Sequence, residues 1–215
     1  MSNLTGGTKE FIHLLETMAD NKMVLGDRLV EVGGSGPDLE ATISSVALAQ
    51  AELGHARLLY NWAFDLKNQG GEKPDIKEQT GKAFQCGLKI DNWITLIAGM
   101  DVISHAVDVV LHAISSSGRP ELASKISKMM REEEEHLLFA DGWAHLLLND
   151  RGKVPVLFKE AVQAALQEAE QWLREVEGNH QLKQEGFIPQ NVPLVDNFRE
   201  RIRFMEEEGV KVNVG

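Results

Sequence analysis

An all-α fold, a four-helix bundle with additional C-terminal helices, is what the sequence predicts, and three observations predict it. Apolar residues recur at three- and four-residue intervals through most of the 215 residues, the spacing that places them on one face of a helix. Alternation of β-branched residues is nearly confined to the tail from Val210 to Val214, which reads as a short edge strand at most. Clusters of glycine and proline cut the periodic pattern into long segments.

The first segment runs from about Thr8 to Val32. It stops at Gly33, Gly34, Ser35, Gly36 and Pro37, a cluster that cannot continue a helix and reads as its C-cap. Pro37 and Asp38 open the second segment as good first-turn residues, and it continues to about Asn68, ahead of Gly70 and Gly71. Residues 72 to 90 form a connection with room for one short helix. The third segment covers Asp91 to Ser116, and Gly118, Arg119 and Pro120 separate it from a fourth, Pro120 to Asn149, which ends near Gly152. The Asp141-Gly142 pair is a hairpin signal in other settings but sits inside this helical pattern and reads as helix. A fifth segment spans Pro155 to Glu177, and a sixth, Pro193 to Glu208, carries mixed charge. Four long amphipathic segments with short links and one longer crossover describe a bundle of the ferritin-like kind. Its core is expected over residues 1–152, with residues 153–215 as a helical extension packed outside on the same domain. An α-solenoid is the rival, but no period of about 34 to 47 residues repeats throughout.

Composition narrows the function classes. With 43% apolar, 26% charged and 6% aromatic residues, the chain fits one globular domain and excludes disorder and collagen-like repetition. Lys and Arg total 22 against 33 Asp and Glu, a net charge of −11 that repels phosphate backbones and anionic lipid. Neither nucleic acid nor a membrane surface is expected as a partner. No stretch approaches the roughly 18 uninterrupted apolar residues of a membrane span, and the start MSNLTGGTKEF has no basic segment followed by an apolar one, so a cytoplasmic protein is expected. The lone cysteine, Cys86, reads as a small buried apolar residue. It excludes an internal disulfide and a Cys-x-x-Cys clip, leaving nitrogen and oxygen ligands for any metal.

The core seam carries a polar layer. On the first segment the stripe reads Phe11, Leu15, Met18, Lys22, Leu25, Leu29, Val32, so Lys22 points into the bundle. The second gives Ser45, Leu48, Glu52, His55, Leu59, Trp62, Leu66, and the fourth gives Ile126, Met129, Glu133, His136, Ala140, Trp143, Leu147. The two halves match at a constant offset: 133 − 52, 136 − 55 and 143 − 62 all equal 81. The third segment supplies Trp93, Ile97, Met100, Ser104, Val107, Leu111 and Ile114, with Ser104 at mid-seam. Asp101 and Asp108 flank Ser104 at about 40 to 60° to one side, near enough to lean toward the layer.

Two arrangements satisfy such a layer. Paired Glu-x-x-His motifs facing each other across a bundle suit a pair of iron or manganese ions, because side chains at i and i+3 converge. Glu52 and Glu133 would then bridge the ions, with His55 and His136 as terminal ligands. Alternatively, Lys22 supplies the counter-charge, forming an ion-pair layer with Glu52 and Glu133 that needs no metal. A full di-metal carboxylate site expects one further carboxylate from each of the other two helices, where this chain has Lys22 and Ser104. Residue spacing alone leaves both arrangements open.

Other candidates read as ordinary helix residues. Of the run Glu132 to Glu135 only Glu133 falls on the seam, so the other three are expected to be solvated. His105, His112 and His145 lie beside the seam and read as plain helix residues; Trp62 and Trp143 read as core packing.

Several stretches together resemble a known family. Asp20-Asn21-Lys22-Met23-Val24-Leu25-Gly26-Asp27-Arg28-Leu29, then Pro37-Asp38-Leu39-Glu40, then Glu52-Leu53-Gly54-His55-Ala56-Arg57-Leu58-Leu59 are similar to the A and C subunits of bacterial phenylacetyl-CoA epoxidase, the phenylacetic acid catabolic proteins. Arg119-Pro120-Glu121-Leu122-Ala123 and Glu133-Glu134-Glu135-His136-Leu137-Leu138-Phe139-Ala140-Asp141-Gly142-Trp143 continue the resemblance, which covers about residues 10 to 150. It implies a ferritin-like subunit of a multicomponent monooxygenase that epoxidises the aromatic ring of a CoA thioester. The implied partners are a homologous ferritin-like subunit and a reductase component, in a homo- or hetero-oligomer, and the implied cofactor is a di-iron centre. In the catalytic A type the ligands are a Glu on helix one, Glu-x-x-His on helices two and four, and an Asp on helix three. Glu52, His55, Glu133 and His136 match; Lys22 and Ser104 do not. The C type lacks the ligands and serves as a structural partner, and the helix-one wording here is closer to it. The resemblance therefore admits an oxygenase component or a non-catalytic subunit in which Lys22 replaces the metal. Outside the family, a ferritin-like protein that oxidises Fe(II) is a third reading.

Overall fold

A computed structural model describes residues 4–68, 76 and 78–207. Its helices are α1 (Gly6–Glu31), α2 (Leu39–Asn68), α3 (Gln85–Leu88), α4 (Trp93–Ser115), α5 (Pro120–Leu148), α6 (Val154–Gly178), α7 (His180–Gln184) and α8 (Leu194–Glu207), with a 3-10 turn at Gly33–Ser35. The described residues contain no strand, which agrees with an all-α, ferritin-like bundle; the Val210–Val214 tail lies outside them.

Local chemistry sets the helix ends. Thr5 caps α1, accepting from the Thr8 amide at 3.2 Å. The glycine cluster after α1 ends it without any left-handed residue: the Ser35 and Gly36 amides bond back to the Val32 and Gly33 carbonyls at 3.0 Å. Asp38 is a cap and not a first-turn residue, its Oδ1 accepting from the Ala41 amide at 2.7 Å. Asn92 and Thr95 form a capping box that starts α4 two residues later than Asp91. Pro120 opens α5, whose missing amide hydrogen costs nothing at that position, and α5 runs unbroken through Asp141 and Gly142. The five-residue α7 has no counterpart among the expected segments, because so short a helix has no period to read.

The antiparallel pair α1–α2 packs closely, and α4 lies along α5. Two glycines permit the α1–α2 approach. A Cβ on Gly26 would stand 2.7 Å from Leu53 Cγ, and one on Gly33 would stand 2.5 Å from Ser45 Cβ. Asp20 and Asn21 then fasten the crossover to α1. Asp20 accepts from the Tyr60 hydroxyl at 2.5 Å, the Thr80 amide at 2.8 Å, the Thr80 hydroxyl at 3.0 Å and the Lys82 amide at 2.5 Å; Asn21 accepts from the Phe84 amide at 2.9 Å. At the start of α3, Glu168 of α6 accepts from the Gln85 and Cys86 amides. Cys86 is only half-buried, and burial together with Glu168 pushes its thiol up to about 12.

The C-terminal helices α6 and α8 pack against α4. Helix α6 buries Phe158, Val162, Ala165, Ala169 and Leu173, and packs along α4, while α8 also reaches α4. As a result α4 is covered on nearly every side, from Leu96 through Leu111. It is long and apolar enough to cross a membrane, but 89% of its most apolar window is buried inside the molecule, as befits a central core helix.

Candidate functional site

At mid-bundle the seam residues of three helices meet in one buried layer. Lys22 of α1, Glu52 of α2 and Glu133 of α5 have no exposed surface, and His55 of α2 and His136 of α5 are 2% exposed. The Lys22 ammonium donates to Glu52 Oε2 at 3.0 Å, Glu52 Oε1 at 3.2 Å and Glu133 Oε2 at 2.5 Å. His136 Nδ1 lies 2.6 Å from Glu52 Oε1. A carboxylate only accepts, so this nitrogen carries the hydrogen. His55 uses its other nitrogen, Nε2, to donate to Glu132 Oε2 at 2.8 Å. The two imidazoles stack 5.4 Å apart between ring centres, at 26°.

The electrostatics follow from this geometry. Burial alone would strip the proton from Lys22, but Glu133 and Glu52 outweigh it and hold the ammonium above its ordinary value. Burial opposes ionisation of Glu52 as well; Lys22 and the His136 hydrogen bond overcome it and bring the carboxyl down to about 2. His55 moves the other way, lowered by burial and by the Lys22 charge, so it is neutral at pH 7. Its hydrogen is committed to Glu132, which leaves the Nδ1 lone pair without a partner; Glu133 Oε1 and Ser104 Oγ are also buried and unpartnered.

Ligand atoms of Glu52, His55, Glu133 and His136 all lie within 4.8 Å of one another. The structure thus brings together all four expected ligand residues, and with them Lys22. Asp101 and Asp108 do not join them. Asp108 is paired with Arg201 of α8 and lies 3.2 Å from His112 Nδ1. Asp101 belongs to a second cluster with His105 and Asp141. Burial, and the neighbouring Asp141, push the Asp101 carboxyl up to about 7 against the pull of His105.

Three side chains depart from the sequence expectation. Glu132, expected in solvent, is half-buried and fixes His55; its carboxyl is lowered by that hydrogen bond. His105 is no plain helix residue, being 5% exposed and 2.8 Å from Asp141 Oδ1. Trp143 is half-buried at the edge of an open groove with Asp38, Ser44, Leu138, Phe139 and Leu146, whereas its counterpart Trp62 is buried edge-on against Phe11. The i, i+4 spacing of Asp101 and His105 is legible as a paired face; the partnership of Glu132 has no periodic signal.

Residues 3–212 match the family described as phenylacetic acid catabolic protein. The chain is similar to the C subunit of 1,2-phenylacetyl-CoA epoxidase from Escherichia coli (strain K12), 28% identical over 136 residues. That match covers 61% of this chain and 55% of the relative, so it spans little more than half the relative's length.

Proposed function

Because this chain belongs to the phenylacetic acid catabolic protein family, we propose that it is the non-catalytic, structural subunit of a phenylacetyl-CoA epoxidase-type monooxygenase. In this reading the Lys22 ammonium replaces the metal between Glu52 and Glu133. One observation carries it: Lys22 Nζ is hydrogen-bonded to three oxygens of those two carboxylates. A divalent ion bridging the same oxygens would stand beside a fixed positive charge in a fully buried layer, where repulsion is weakly screened. The ligand inventory points the same way. His136 Nδ1 already donates to Glu52, His55 Nε2 donates to Glu132, and α1 and α4 offer an ammonium and a hydroxyl where a di-iron site needs carboxylates. With Lys22 in place these residues do not fit a di-metal centre.

What the chain contributes is then a rigid surface for a homologous catalytic subunit, with the reductase and the aromatic CoA thioester acting at the level of the complex. Exposed apolar side chains support that role: Leu138 and Leu146 line the α2–α5 groove, and Leu39 and Ile43 of α2 are exposed as well, with Leu39 and Leu138 about three-quarters exposed. Co-expression with a catalytic-type subunit of the family tests it: the reading expects a stable complex whose iron resides wholly in the partner.

A second reading, an oxygenase component with its own di-iron or di-manganese site, is favoured by the unpartnered His55 Nδ1 and Glu133 Oε1, two ligand atoms facing one buried layer. It requires Lys22 to leave the layer. The iron-oxidising reading has the same requirement and no observation of its own.

A further inference from the structure

We propose that Asp101 and His105 of α4, with Asp141 of α5, form a mononuclear site for a divalent transition ion of the zinc type, separate from the Lys22 layer. The carrying observation is Asp101. Its side chain is fully buried, and neither carboxylate oxygen has a hydrogen-bond partner. His105 Nε2, 3.4 Å away, is already hydrogen-bonded to Asp141, and a buried carboxylate that makes no hydrogen bond is among the costliest groups a core can hold. A cation cures it.

The surroundings are built for one. His105 Nε2 is 3.4 Å from Asp101 Oδ1 and 2.8 Å from Asp141 Oδ1, so one nitrogen faces both carboxylates. All three ligand atoms lie within 4.8 Å of one another. Ligand atoms bound at zinc distances around a tetrahedral ion stand roughly 3.4 Å apart. The Asp101–His105 spacing already matches; the His105–Asp141 contact opens by about half an ångström, the imidazole hydrogen moving from Nε2 to Nδ1, and Asp141 closes on the ion. Three nitrogen and oxygen ligands from the protein leave one position for water, and Asp141, with a side chain 36% exposed, opens the site to solvent. The i, i+4 pair on the buried α4 is rigid, so the half-exposed Asp141 is the ligand that can adjust.

The test is equilibrium dialysis of the full chain, stripped with a chelator, against Zn2+, with Co2+ absorption reporting coordination. One ion per chain is expected, with affinity reduced at least about tenfold by Asp141→Asn and by His105→Gln and unchanged by His55→Gln. Far-UV circular dichroism accompanies each variant, and Asp141→Asn, a change at the rim, decides the matter if His105→Gln fails to fold. Absence of Zn2+ binding, affinity unmoved by Asp141→Asn, or affinity lost only in His55→Gln overturns the proposal. Affinity lost only in His55→Gln would place the ion in the Lys22 layer instead; the other results leave the question of a di-iron pair in that layer untouched.

Discussion

The Lys22 ammonium lies 2.5 Å from Glu133 across the bundle, between residues 111 positions apart on α1 and α5, and both side chains are wholly removed from solvent. With Glu52 at 3.0 Å on the remaining side, one buried cation holds two buried carboxylates.

Removing the cation strands those carboxylates. Lys22→Met is expected to lower stability by about 3 to 5 kcal/mol at pH 7, read by urea unfolding, because it leaves uncompensated charge in a buried layer. Adding Glu52→Gln and Glu133→Gln to that variant should recover most of the loss. A Lys22→Met protein as stable as the parent would show that the layer is not held by this charge.

The same layer sets the pH limits of the fold. The Glu52 carboxyl is depressed from 4.5 to about 2, so between these values the unfolded chain binds the proton first. Its stabilisation is complete above pH 4.5 and is lost as pH falls through about 2. Lys22 is raised above 10.5, so its share is complete below that pH and is lost as pH rises through the folded value. Urea midpoints of the parent and Glu52→Gln should therefore converge between pH 4.5 and 2.

His55 is neutral and carries its hydrogen on Nε2, the nitrogen facing Glu132. Nitrogen-15 NMR at pH 7 should report that tautomer. Glu132→Ala should release it at a cost of about 1 kcal/mol. A protonated ring at pH 7 would contradict the assignment.

Asp20 ties α1 to α2 through the Tyr60 hydroxyl and to the crossover through the Thr80 amide and hydroxyl and the Lys82 amide. Asp20→Ala leaves these donors without an acceptor and should cost about 2 to 4 kcal/mol. Hydrogen exchange at Thr80 and Lys82 should accelerate well beyond that at α4 amides.

Much of the bundle is readable from residue spacing, for definable reasons. A three-and-four period identifies which face of a helix is buried, so it places Lys22, Glu52, His55, Glu133 and His136 inward, and all five are buried. The period says nothing about which neighbour covers that face. That is why spacing does not reveal that α6 packs along α4, and why Trp62 and Trp143, identical in register, have unlike surroundings. Side chains beside the seam are the hardest to place. Glu132, His105 and Asp141 reach their partners by helix rotation and side-chain length, which sequence spacing does not encode.

Whether Lys22 takes the place of a di-iron centre is decided by iron loading. The full chain, incubated anaerobically with Fe(II) and then exposed to air, should develop no oxo-bridged di-iron absorption and should consume no oxygen on reduction. A di-iron band accompanied by oxygen uptake, both abolished by Glu133→Gln, would refute the replacement and restore the oxygenase reading.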